Sequence, residues 1–150
     1  MRLTTGVVTS PNYPGNYPGN LEKTETIEVE SGKILRMEFT QFAVFVSGTV
    51  DNCTGDHVKI TDGDGTTLMD KSCGDSSSSP SSSDYFLPPI LMTNTNAVKI
   101  FFRTDGSNTK SGWSLTWGAV TPGVVTSTDD CLFDQSSIQS LISSLHELLP

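Results

Sequence analysis

Residues 53–63 read Cys53-Thr54-Gly55-Asp56-His57-Val58-Lys59-Ile60-Thr61-Asp62-Gly63. Val58 and Ile60 flank Lys59 in the alternation of a strand with one apolar face, and the run leads into Asp62-Gly63-Asp64-Gly65. An EF-hand calcium loop would need a further Gly, more oxygen ligands and a terminal Glu at fixed spacing, and these are absent. Asp-Gly here reads as a tight hairpin turn.

The same period continues outward in both directions. Upstream, Thr24 to Val29 partly alternates, and in Ile34 to Phe39 the residues Leu35, Met37 and Phe39 share one face. Downstream, Val98, Ile100 and Phe102 share a face within Ala97 to Phe102, and Trp113 to Trp117 completes the set. Period-2 patterning at short spacing predicts an all-β fold of antiparallel sheets, each with one wet face. Gly6 to Asn20 supplies turns: Ser10-Pro11-Asn12-Tyr13-Pro14 and Gly15-Asn16-Tyr17-Pro18-Gly19 place Pro, Asn and Gly where φ must be fixed or positive. Asp75 to Asp84 is Ser-rich, has nothing to bury, and reads as a flexible, solvated surface loop.

The pattern ends at Thr121-Pro122-Gly123. Residues 120–134 read as a linker. Ile138, Leu141, Ile142, Leu145, Leu148 and Leu149 then recur on one side of a short amphipathic helix over 135–150, with Asp134 or Ser136 as caps. Such a short helix is marginal alone, so it must dock on its own domain, on another chain, or on a part of a longer protein.

Composition narrows the function. The chain has 150 residues, enough for one domain with a real core. Nine Lys and Arg against 17 Asp and Glu give a net charge of −8. An acidic surface repels phosphate backbones, so nucleic acid is excluded, and basic ligands or divalent cations are the natural partners. No run reaches the length of a membrane span. No leader stands before Thr4, which is consistent with a removed signal, a longer parent chain or a start further upstream. Cys53, Cys73 and Cys131 are an odd count, so one thiol is left free or pairs with a second chain. Asn52-Cys53-Thr54 is an N-glycosylation sequon, readable only in a secretory compartment.

Taken in order, several stretches resemble the CUB domain family. Gly6 to Pro14, with Tyr17-Pro18 and Asn20-Leu21, resembles its opening. Ile27 and Leu35 to Phe42 resemble its core strands, and Cys53, Asp56, Val58, Ile60 and Asp62-Gly63 resemble its C-x-x-D-x-V-x-I-x-D-G signature. Cys73-Gly74, Pro88-Pro89-Ile90, Phe101 to Asp105 and Gly112-Trp113 resemble later family landmarks. The likeness spans residues 4–119. It implies a β-sandwich of two antiparallel sheets, an extracellular or secreted setting, and recognition of proteins or glycans, commonly as one unit of a multidomain protein. It also implies a Cys53–Cys73 bridge, worth roughly 3 kcal/mol for a loop of about 20 residues. The family's other bridge is missing: Lys23 stands at its inner cysteine, Glu25 at the usual Trp, and the outer cysteine has no counterpart before Gly6.

Many CUB modules hold a calcium ion through one glutamate and two aspartates, and a hard cation of this kind wants 6–8 oxygens. Asp56 and Asp105 match the aspartates. Phe45 falls near the glutamate position, and Asp51, in a lengthened loop, is the candidate substitute. In such modules the ion organises acidic loops that grip a lysine or arginine of a partner, which places Asp56, Asp105, Ser107 and Tyr17 at the contact surface. The plainer reading is that the two aspartates bond loop backbone and Tyr17 packs on the sandwich.

Catalysis has no motif: of the two histidines, His57 follows Asp56 on a strand and His146 lies on the polar side of the tail helix, and no nucleophile elbow, His-Glu-x-x-His or P-loop occurs. The chain is therefore expected not to be an enzyme. Phe101, Phe102, Trp113 and Trp117 read as core or sheet-face residues, with an exposed Trp at a binding face as the alternative. A competing reading is a structural or matrix component that self-associates, as a disulfide-linked dimer, through Cys131 and the C-terminal helix.

Overall fold

The computed structural model describes residues 3–122. The predicted linker, Cys131, His146 and the 135–150 helix lie outside them. Eleven strands occur among the described residues: β1 (Thr5–Thr9), β2 (Glu22–Glu28), β3 (Ile34–Val44), β4 (Gly48–Thr49), β5 (Asn52–Cys53), β6 (His57–Asp62), β7 (Thr67–Ser72), β8 (Gly74–Asp75), β9 (Leu91–Met92), β10 (Ala97–Arg103) and β11 (Gly112–Val120). One sheet runs β1-β11-β3, with β8 and β9 also pairing with β3, and the other runs β2-β10-β6-β7. The strands pair antiparallel throughout both sheets, as the alternation predicted. β4 and β5 form a separate ribbon.

The core lies between the sheets. Leu35, Met37, Leu115, Val58, Ile60, Val98 and Ile100 are fully buried, so each predicted apolar face points inward. Phe102 on β10 packs edge to face across the sheets against Trp113 on β11 at 5.8 Å, and Trp113 packs edge to face against Phe39 on the neighbouring β3 at 6.0 Å. Simple alternation breaks on β3. Phe39 pairs with Leu115 and Gln41 with Ser114, leaving Thr40 as an extra residue. This bulge moves the buried face from Leu35, Met37 and Phe39 to Phe42 and Val44.

β2 is a sheet edge, and register places Lys23 and Glu25 on the same side as Ile27. Their side chains remain 48% and 37% exposed and form an ion pair at 2.9 Å. Inward-side charges on an edge strand discourage pairing with another chain. The second pair does close: Cys53 and Cys73 are bonded, with Cα atoms 5.8 Å apart, tying the β4–β5 ribbon to the end of β7.

The hairpin at Asp62 is as predicted, with the Gly65 amide donating to the Asp62 carbonyl at 2.9 Å. Its side chain has a role that turn chemistry did not disclose. Asp62 is 1% exposed. It accepts from the Gly63 amide at 2.7 Å, the Asn94 amide at 2.6 Å and the Thr95 hydroxyl at 2.6 Å, clamping the loop before β10. Burial alone would raise its pKa, but the bonds from Thr95, Asn94 and Gly63 outweigh that and hold it low. A depressed carboxylate stabilises the fold above its unfolded pKa, and that stability is lost as pH falls through the folded value. Asp62→Asn is expected to cost about 1–2 kcal/mol at neutral pH, with the gap from wild type closing in acid; urea unfolding at both pH values checks this.

The Ser-rich segment is solvated at Ser79 to Ser83 but anchored at its ends. Asp75 bridges to Tyr85, Ser76 exchanges bonds with the Phe42 backbone, and Lys110 pairs with Asp75 at 3.2 Å.

Candidate functional site

Asp56 and Asp105 come from distant parts of the chain and meet at one end of the sandwich. Asp56 immediately precedes β6 and Asp105 follows β10, and these strands are paired neighbours. The turn-rich N-terminal segment is sewn onto the same end. The Asn20 amide donates to the Asp105 carbonyl at 2.8 Å, the Thr104 hydroxyl to the Pro18 carbonyl at 2.8 Å, and the Tyr17 amide to the Lys110 carbonyl at 3.1 Å. Asn12 and Asn20 hold the positive φ values, 68° and 54°, that this path requires.

Asp56 is fully buried. Its Oδ2 accepts from the Tyr17 hydroxyl at 2.6 Å and its Oδ1 from the Asp105 amide at 2.8 Å. Tyr17, expected at the contact surface, is only 1% exposed, because its ring packs against Phe102 at 5.0 Å. Its hydroxyl bridges inward, donating to Asp56 and accepting from the Phe45 amide at 2.9 Å. Tyr17 thus supports the acidic end from beneath rather than facing a partner. Phe45 contributes backbone to this network, and its side chain offers no oxygen.

Asp105 is held differently. Its Oδ1 accepts from the Ser107 amide and hydroxyl, both at 3.0 Å, and Ser107 is exposed. Gly55 permits the assembly. A Cβ there would lie 2.6 Å from Asp105 Oδ2 and 2.6 Å from the Ser47 hydroxyl, so only a bare Cα lets both side chains close over it. Ser47 was not singled out from sequence, since nothing marks a loop serine as adjacent to a residue so far along the chain.

The two carboxylates are driven apart electrostatically. Burial raises the Asp56 pKa, the bond from Tyr17 opposes this, and the nearby Asp105 charge adds to the rise. The Ser107 bonds lower Asp105. Burial, and the bond to Asp56, push the Tyr17 phenol far up. Next to this pair, His57 is 5% exposed, its Nδ1 lies 3.0 Å from the Gly55 carbonyl, and burial lowers its pKa. A buried neutral imidazole of this kind is structural.

Oxygen chemistry at this end suits a hard cation: two apposed carboxylates, the Ser47 and Ser107 hydroxyls, and loop carbonyls. A divalent cation would relieve the repulsion that resists ionisation of Asp56. Asp51 lies exposed at the β4–β5 turn, and among the described residues no three His, Cys, Asp or Glu side chains gather around one point. Of the oxygen donors at this end, two are carboxylates, Asp56 and Asp105, and the rest are hydroxyls and carbonyls.

Trp113 is 2% exposed. Trp117 is partly buried beneath Gly6, where a Cβ would approach its ring to 2.6 Å. It shares with Arg36, Thr116, Gly118 and Val120 a shallow groove of about 220 Å³.

The CUB domain family profile matches residues 1–117. The chain is 29% identical to cubilin of Rattus norvegicus over 144 residues, covering 96% of this chain and 4% of that protein. It is 32% identical to mannan-binding lectin serine protease 1 of Mus musculus over 115 residues, covering 77% of this chain and 15% of the protease. The chain thus spans a small part of the curated relatives it matches. The crystal structure of the MASP-1 CUB2 domain bound to Ca2+ superposes with a TM-score of 0.61 at 28% identity, covering 79% of this chain and 95% of that one. The chain belongs to the CUB domain family, whose module is extracellular and serves binding, not catalysis.

Proposed function

We propose that this module recognises an extracellular protein partner through its acidic end, with Asp56 and Asp105 holding calcium and a basic side chain of the partner approaching the same oxygens. The observation that carries the reading is the burial of the Asp56 carboxylate against Asp105, with Tyr17 beneath it. Ser107, exposed and bonded to Asp105, forms the outer lip, and Ser47 flanks it. Bound calcium would supply positive charge that permits both carboxylates to ionise. The protein's own part is to bury Asp56 as the support of this end and to aim the partly exposed Asp105 through Ser107. A related module with bound calcium supports the reading, as does the net charge of −8.

Thermal melts with calcium and with chelator test it. Extracellular modules bind calcium with Kd values of about 10⁻⁴–10⁻³ M, so about 10 mM calcium should stabilise by roughly 1.5–2.7 kcal/mol and raise Tm by on the order of 5–10 °C. Asp105→Asn should abolish the rise. The pH dependence has a definite sign. Asp56 has a raised folded pKa, so its own contribution to stability is present below the unfolded pKa and is lost as pH rises through the folded one. Calcium requires the ionised form, so the increment is largest above that folded pKa and disappears as pH falls through it. An unchanged Tm at about 10 mM calcium would sink the calcium reading.

A further inference from the structure

The three residues of the sequon are all committed in the folded domain. Asn52 pairs with Thr49 across the β4–β5 ribbon. Cys53 is bonded to Cys73. Thr54 donates to the Ser47 carbonyl from its amide at 3.3 Å and from its hydroxyl at 3.0 Å. A transferase must engage the asparagine amide and the threonine hydroxyl of a sequon together, on a segment free to adapt to it. Thr54 is exposed, but the closed ribbon ties its hydroxyl and its amide to the Ser47 carbonyl and takes away the freedom of the backbone. Yet Asn52 itself is exposed, so a sugar already attached there is accommodated by the folded domain.

We propose that Asn52 is an N-glycosylation site that can be filled only before the Cys53–Cys73 bridge closes, so that oxidation of this pair decides whether the chain carries the sugar. The donor is a lipid-pyrophosphate-linked oligosaccharide. A bond forms between Asn52 Nδ2 and the anomeric carbon, and the bond from that carbon to the pyrophosphate oxygen breaks. The lipid pyrophosphate leaves with the electron pair, and Nδ2 gives one proton to a base. In the competing step the Cys53 and Cys73 thiols lose two electrons and two protons to a protein disulfide of the secretory compartment, which is reduced to its dithiol. Once that step has occurred the ribbon closes and the first step stops. The attached sugar stands beside the acidic end, since Ser47, which holds Thr54, also lies with Asp105 over Gly55.

The full chain, directed into the secretory pathway of cultured animal cells, is resolved on gels before and after digestion with peptide N-glycosidase. Wild type is expected to run in part, or wholly, as an unglycosylated band. Any upper band should collapse on digestion and be absent in Asn52→Gln. Cys73→Ala leaves the sequon intact and should move the lower band into the upper one. A thiol reductant present during synthesis should do the same to wild type. Occupancy is read in cell lysate, so the variant need not fold or be secreted. A glycosylated share that Cys73→Ala and reductant leave unchanged overturns the proposal, and so does a wild type that is fully glycosylated.

Discussion

Asp56→Ala should destabilise the domain by about 2–4 kcal/mol even with chelator present. Two donors lose their acceptor in a space closed to water: the Tyr17 hydroxyl and the Asp105 amide. Each buried group left unpaired costs about 1–3 kcal/mol, and relief of the Asp56 desolvation penalty and of its repulsion with Asp105 offsets part of the sum. The damage should spread along the sewn segment, because Asp105 also receives the Asn20 amide and Tyr17 also receives the Phe45 amide. Asp56→Asn keeps the shape and one acceptor oxygen, so it should lose less stability while still losing the charge. Urea unfolding with a constant m-value measures both variants. A loss below about 0.5 kcal/mol for the alanine would mean that Asp56 is not the hub of this end. The same pair of variants separates folding from binding: the asparagine variant, if folded, reports on the carboxylate alone.

Replacing both Cys53 and Cys73 by alanine should cost about 2–5 kcal/mol, the usual loss when a native disulfide is removed from a small secreted domain. The bridge closes a sequence separation of 20 residues. In the chain-entropy account this removes roughly 3 kcal/mol of freedom from the unfolded ensemble. The folded state depends on it locally as well. Cys53 is the buried member of the two-residue strand β5, whose only strand partner among the described residues is the equally short β4. So short a ribbon has little stability of its own. Without the bridge, the ribbon and the Ser47–Thr54 contacts at its base should loosen before the main sheets do. Hydrogen exchange at the Thr54 amide, compared with that at Ile60 in the middle of β6, checks this order. Equal protection of both in the double variant would show that the ribbon stands without its bridge.

Two kinds of information were unequally legible in the sequence. The apolar faces at Leu35, Met37 and Phe39, and at Val98, Ile100 and Phe102, followed from period 2 because side chains on a strand alternate whatever their partner. The turn after Asp62 followed from the Asp62-Gly63-Asp64-Gly65 run, in which Gly65 takes the positive φ of 94°. Family likeness carried the Cys53–Cys73 pairing and the positions of Asp56 and Asp105, which no local pattern would have joined. What failed to appear was everything that depends on register. Thr40 reads as one more alternating residue, yet the offset between Phe39–Leu115 and Gln41–Ser114 makes it a bulge. Tyr17 reads as a turn residue packed on the sandwich, and its ring does pack on Phe102, but nothing in the sequence points its hydroxyl at Asp56.

By itself, the sequence determined that this protein is all-β, acidic, rich in turns and a CUB-type recognition module. Those properties are set by side-chain period, composition and motif order, which are local or additive along the chain. Only the tertiary structure decided how the acidic end is built. It placed Tyr17 beneath Asp56, closed Asp105 and Ser47 over Gly55, left Asp51 apart on its exposed turn, and used Asp62 to clamp the loop before β10. The physical reason is that a carboxylate's function depends on its burial and its partners. Both are fixed by which strands pair and in what register, and no residue announces them from its own position in the chain.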